Sequence, residues 1–102
     1  MAIVVVLERE NGEEVEKIED PTNILHRFLP SFDDPSYFCI RFIDWYGNTV
    51  FNGLQMEIFI EEWRRIENLA KLEEEREILS KIADLAIQCQ IKVHHYLKFY
   101  GD

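Results

Sequence analysis

The segment from Tyr37 to Trp63 constrains this chain more than any other, because it joins a strand pattern, a turn and a helix start in one continuous stretch. From Tyr37 to Ile43 every residue but Arg41 is apolar or aromatic. Aromatic and β-branched residues at that density favour a pleated, well-covered strand. A two-residue period sets Tyr37, Cys39, Arg41 and Ile43 on one face and Phe38, Ile40 and Phe42 on the other. The second set is the expected core face, since Arg41 then points to solvent. Asp44-Trp45-Tyr46-Gly47-Asn48 follows with turn chemistry. Gly47 and Asn48 tolerate positive φ, and Asp44 accepts backbone hydrogen bonds at a turn start. Thr49-Val50-Phe51 resumes the strand pattern, so a hairpin with a loop of a few residues is expected.

Asn52 is a good helix N-cap, and Gln55 three residues later makes a capping box in which two orphan amides are satisfied. Met56, Phe59, Ile60, Trp63 and Ile66 then recur with a 3.6-residue period. The opposite face carries Glu57, Glu61, Glu62, Arg64 and Arg65. Glu61 with Arg65 and Glu67 with Lys71 are i,i+4 pairs in the favourable order.

Either side of this segment the signals vary in strength. Ala2 to Leu7 is an apolar run that suits a strand covered on both faces. Asn11-Gly12 is a strong hairpin signal. Its expected partner, Glu14 to Ile18, breaks alternation and reads as a charged edge strand, or as a short helical or irregular piece. Asp20-Pro21 starts a helix with the stripe Ile24, Leu25, Phe28, Leu29, which Pro30 stops. His26 falls on its exposed or boundary side. Residues 31–36 form a loop. Near Asn68 the helix breaks, the preferred reading, or runs on as one long helix; the stretch beyond is marked by Leu72, Leu79, Ile82, Ala86, Cys89 and Val93. The seven-residue spacing of four of these is a short coiled-coil seam or, with Glu75 interrupting it, the core face of a helix on the sheet. Val93 to Tyr100 is open between strand and helix, and its alternation argues for a last strand. The expectation is a single α+β domain over residues 1–102, with a mixed or mainly antiparallel sheet and helices packed on one face.

Composition bears on function more than on fold. The chain has 102 residues, 47% of them hydrophobic, and a formal charge of −9. That length buries a real core without disulfides or a metal. No basic stripe exists to neutralise phosphates, so nucleic acid and anionic membranes are poor partners. A basic protein partner is favoured instead. Cys39 and Cys89 are read as buried, reduced thiols in a cytoplasmic protein. The opening residues lack the basic region of a secretory leader, and no stretch reaches transmembrane length. There is no Gly-rich phosphate loop, no nucleophile elbow, no His-Glu-x-x-His and no Cys-x-x-Cys. No catalytic residue, metal ligand or cofactor is therefore assigned, and His94-His95 alone would face opposite ways and make no zinc site.

The run Arg41-Phe42-Ile43-Asp44-Trp45-Tyr46-Gly47-Asn48-Thr49-Val50-Phe51-Asn52-Gly53-Leu54-Gln55, with the ending His95-Tyr96-Leu97-Lys98-Phe99-Tyr100-Gly101-Asp102, resembles a group of small uncharacterised bacterial proteins. In them Ile-Asp-Pro-Tyr-Gly-Asp-Thr-x-Phe-Asn precedes a helix. Here Trp45 stands where proline is usual and Asn48 where aspartate is usual, and both keep a turn. The resemblance covers about a third of the chain and implies bacterial origin and a shared fold. It brings no activity with it.

Small size, acidity and the missing catalytic set point to a protein-binding inhibitor, of immunity-protein or antitoxin type, with carboxylates ringing aromatic anchors. The candidate contact residues are Asp33, Asp34, Asp44, Trp45 and Tyr46, with Glu57, Glu61 and Glu62 as a second patch. On a straight strand the first two lie at the far end from the other three, so one patch requires a short or bent strand. The alternative is a structural or oligomerising domain, a homodimer paired through Leu72 and Leu79 or an apolar patch.

Overall fold

The computed structural model describes residues 2–101. Four strands, β1 (Val4–Arg9), β2 (Glu14–Glu19), β3 (Asn48–Asn52) and β4 (His95–Tyr100), form one antiparallel sheet in the order β2-β1-β4-β3. Two helices, α1 (Met56–Glu67) and α2 (Glu73–Ile91), pack on one of its faces. The architecture is α+β, as the element pattern implies.

The first hairpin closes where Asn11-Gly12 requires. Gly12 has φ 88°, a conformation that a side chain would strain, and its N–H donates to Arg9 O at 2.9 Å. The partner Glu14–Glu19 is an edge strand and its residues are exposed except Ile18. β1 is a central strand: Val5 and Leu7 face the helices, while Val6 on the other face, where no helix packs, is still only 3% exposed.

Asn52 and Gln55 form the expected capping box: Gln55 N donates to Asn52 Oδ1 at 3.1 Å, and Asn52 N to Gln55 Oε1 at 2.8 Å. The box closes a 3-10 turn, Gly53–Gln55, that runs directly into α1. Met56, Phe59, Trp63 and Ile66 are buried, with Ile60 at the boundary. Phe59 stacks on Trp63 at 5.3 Å between centroids and meets Phe51 of β3 and Phe99 of β4. α1 stops at Asn68, and α2 begins after a short connection. Leu79, Ile82, Ala86 and Cys89 are spent in the monomer's own core, so the seven-residue spacing is the sheet-facing side of α2. Leu72 and Val93 lie outside the helix and are exposed. A homodimer seam through Leu79 is thereby lost.

Two expectations fail. The segment 37–43 is not a strand. β4 occupies the place beside β3, and the segment folds instead into a loop with a 3-10 turn, Ile40–Phe42. Its buried residues are Cys39, Ile40 and Ile43, while Phe38 and Phe42 face solvent. That spacing is helical, not alternating. Likewise, the stripe after Asp20-Pro21 makes one 3-10 turn, Ile24–Arg27, and no α-helix. Asn23 sits at φ 57° and breaks the helical path, while the buried Asp20 carboxylate accepts from Ile24 N and Leu25 N, both at 2.8 Å.

Candidate contact site

The long loop between the first 3-10 turn and β3 is held by α1. Glu62 lies on the buried side of that helix, 2% exposed, not on the solvent face with Glu57 and Glu61. One carboxylate oxygen accepts from Cys39 N at 3.0 Å and Ile40 N at 3.1 Å, and the other from Phe38 N. Three successive amides converging on one carboxylate turn the chain out of extended geometry, with Cys39 at φ −109°, ψ −57°. This is why an apolar run of strand composition does not become a strand. Arg65, one turn further on, donates to Ser36 O at 3.0 Å, and its guanidinium lies 4.3 Å from the Tyr37 ring centroid.

The far end of the loop is tied to the sheet. Asp44 N donates to Thr49 Oγ1 at 2.8 Å, and Gly101 N to Gly47 O at 2.7 Å. A Cβ on Gly101 would collide with the Trp45 carbonyl, so the close approach requires glycine there. Trp45 is half-buried and packs against the core, its ring 4.2 Å from that of His26. Asp44 Oδ1 accepts from Tyr46 N at 2.8 Å. Gly47 and Asn48 reach this bend without positive φ.

Because the loop is compact, Pro30–Phe32 and Arg41–Tyr46 line a single groove of about 400 Å³. Four aromatics of this loop stay exposed: Phe32 at 74%, Phe38 at 69%, Phe42 at 54% and Tyr46 at 67%. The Arg41 guanidinium lies 4.6 Å from the Phe42 centroid, and its Nε is buried with no partner among the described residues. Asp33 follows Phe32 directly and accepts from Ser31 Oγ at 2.6 Å. Asp34 accepts from Ser36 N and Oγ, bonds that hold its carboxyl below the usual carboxylate range.

The bent loop thus brings Asp44, Trp45 and Tyr46 beside Pro30, Ser31 and Phe32, the residues just before Asp33 and Asp34, which a straight strand would have kept apart. Glu57 and Glu61 remain exposed on α1, away from the lining of the groove. Glu62 is not free for contact. Phe32, Phe42 and Arg41 are groove residues that the sequence reading left out. A phenylalanine alone among Ser31, Asp33 and Asp34 was the signal for the first.

Elsewhere, the sheet face away from the helices carries a polar cluster on β1 and β4. Lys98 Nζ lies 2.8 Å from Glu8 Oε1, and Tyr100 OH donates to Glu8 Oε2. Burial works to raise the Glu8 pKa, but its bonds to Lys98 and Tyr100 outweigh this and leave the carboxyl below its ordinary range. Among the described residues no group of three or more His, Cys, Asp or Glu side chains is set to hold a metal ion. No helix among them is long and apolar enough to cross a membrane. Both cysteines are buried and free, and burial pushes the Cys89 thiol up to about 11.

No family model, curated protein or solved structure matches the chain. Function has to be read from the site's own chemistry.

Proposed function

We propose that this chain is a small acidic protein-binding module that docks a basic partner on the loop 30–46, as a cytoplasmic bacterial immunity protein or antitoxin masks its enzyme. The observation that carries this reading is the set of exposed aromatics around a groove, on a loop that α1 and the sheet hold in one shape. Exposed rings cost little to order on binding when their backbone is already fixed. Rings with an arginine at the centre of a contact are the usual energetic anchors. Arg41 lines the groove beside Phe42, its guanidinium 4.6 Å from that ring's centroid. Asp44 lines the groove, Asp33 and Asp34 follow Phe32 in the chain, and the charge of −9 draws a basic surface in. Glu57 and Glu61 extend the same field along α1.

The test uses the purified chain as bait in lysate of its native host, at low and at high salt. Capture of a basic protein that weakens with salt, and falls about tenfold or more for Phe42→Ala and Tyr46→Ala with unchanged melting temperature, supports the reading. Capture that ignores both substitutions, or the absence of any basic partner at low salt, ends it.

A further inference from the structure

The two edges of the sheet differ in charge. The β2 edge carries Glu14, Glu16, Lys17 and Glu19 and is guarded by them. The β3 edge, Asn48-Thr49-Val50-Phe51-Asn52, carries no charge. In an antiparallel ladder, residues alternate between bonding one neighbour and presenting N–H and C=O to the other side. Gly101 N donates to Gly47 O in the register that pairs Thr49 with Phe99 and Phe51 with Leu97. The odd-numbered residues of β3 therefore bond β4, and Asn48, Val50 and Asn52 turn their main-chain groups outward. The other side of β4 agrees: Glu10 N donates to His94 O in the β1 register, so the even-numbered residues of β4 are spent on β1. Asn52 N is taken by Gln55 Oε1. By this parity the main-chain N–H and C=O of Asn48 and Val50 point away from β4, and no turn, loop or cap bond among the described residues uses them.

We propose that β3 is a self-association edge, occupied by a second copy of this chain running antiparallel about a two-fold axis through Thr49. In that register Asn48 of each copy faces Val50 of the other. The N–H and C=O of Asn48 and Val50 in both strands are then paired with one another. The four-stranded sheets join into one. The charge pattern selects this edge: on a chain of −9 it is where two copies meet with no carboxylate on either strand. Val50, half-exposed on the open sheet face, gains cover from Asn48 of the other copy. The charge on the rest of each copy opposes the encounter. Salt screens it over roughly 8 Å at physiological strength. Self-association therefore tightens with salt, opposite to the basic-partner contact.

Sedimentation and light scattering across protein concentration, at low and high salt, test this. The expected result is a monomer–dimer equilibrium that salt strengthens. Val50→Pro removes an N–H that the β3–β4 ladder does not use, and proline is tolerated on an edge strand. It weakens association about tenfold or more, the loss of 1.4 kcal/mol or above. Val50→Lys, which keeps the N–H and adds a guarding charge, does the same, and it decides the matter where the proline variant fails to fold. A monomer at every concentration and salt overturns the proposal. So does a dimer that salt dissolves, or one that a folded variant leaves intact.

Discussion

Glu62 shapes more of this molecule than any other single residue. A charged residue in a helix is expected on the wet face, and composition alone puts Glu62 there with Glu57 and Glu61. Its spacing says otherwise: three after Phe59, adjacent to Trp63 and four before Ile66, it shares their stripe. The position was therefore legible, but the role was not, because the three amides it holds lie over twenty residues earlier in the chain. Removing the carboxylate leaves those amides in a largely buried place without an acceptor. Glu62→Ala should cost about 3 kcal/mol, and Glu62→Gln, which keeps one good acceptor, about half of that. Denaturant unfolding measures both. Amide exchange of Phe38, Cys39 and Ile40 should quicken in the glutamine variant, while Leu97 and Phe99 stay protected. Unchanged exchange at 38–40 would show that the loop holds its shape without the carboxylate.

Among the elements, residues 37–43 and 95–100 look alike in sequence, and only one becomes a strand. Both are rich in aromatic and β-branched or long apolar residues. Strand propensity measures fit to a pleated surface and does not say which segment is given one. The C-terminal segment has β1 on one side and β3 on the other, while 37–43 has α1 and its carboxylate. The helices were more legible, because periodicity and caps are local. α1 starts from the Asn52–Gln55 box and α2 from an acid that curls back, Glu75 Oε1 accepting from Lys71 N at 3.2 Å and Leu72 N at 3.1 Å. Glu75 also takes Arg27 at 2.9 Å, which ties the first 3-10 turn to α2. The groove, by contrast, depends on the loop that propensity misjudges: Asp44, Trp45 and Tyr46 line it, and so does Phe42, which alternation assigns to the core. Asn52→Ala should cost about 1 kcal/mol of stability, the usual worth of an N-cap. It should leave the groove contact unaffected, because the box lies outside its lining. A loss well below a few tenths of a kcal/mol would mean that packing of Met56 alone sets the start of α1.

At the scale of the whole molecule, acidity and fold pull stability in opposite directions as pH falls. The chain carries 20 acidic and 11 basic residues. From neutral pH towards its pI of about 4.7 the self-repulsion of the compact state declines. Glu67, pushed up by burial and by Asp84 against the help of Arg64, takes its proton early, and the folded state gains as it does. Glu8 and Glu75 have the opposite sign. Lys98 and Tyr100 outweigh the burial of Glu8, and the Leu72 amide leads the set of donors on Glu75, so both sit below the ordinary carboxylate range. An acid with a depressed folded pKa contributes stability above its unfolded pKa and loses it as pH falls through the folded one. At the alkaline end Lys98 and Tyr100, both raised chiefly by their bond to Glu8, contribute in full below their unfolded pKa values and lose that contribution as pH rises through the folded ones. The melting temperature should therefore peak on the mildly acidic side, at about pH 5 to 6.5, and fall steeply below about pH 4. Lys98→Met, which strips Glu8 of its cation, should lower stability by roughly 2 kcal/mol at neutral pH, less than a fully buried pair would lose. It should also lift the Glu8 pKa and so move the acid limb to higher pH. Thermal unfolding of both proteins across the range tests this. An acid limb at the same pH in wild type and variant would mean that the Glu8 cluster has no part in the response, leaving the other carboxylates to account for it.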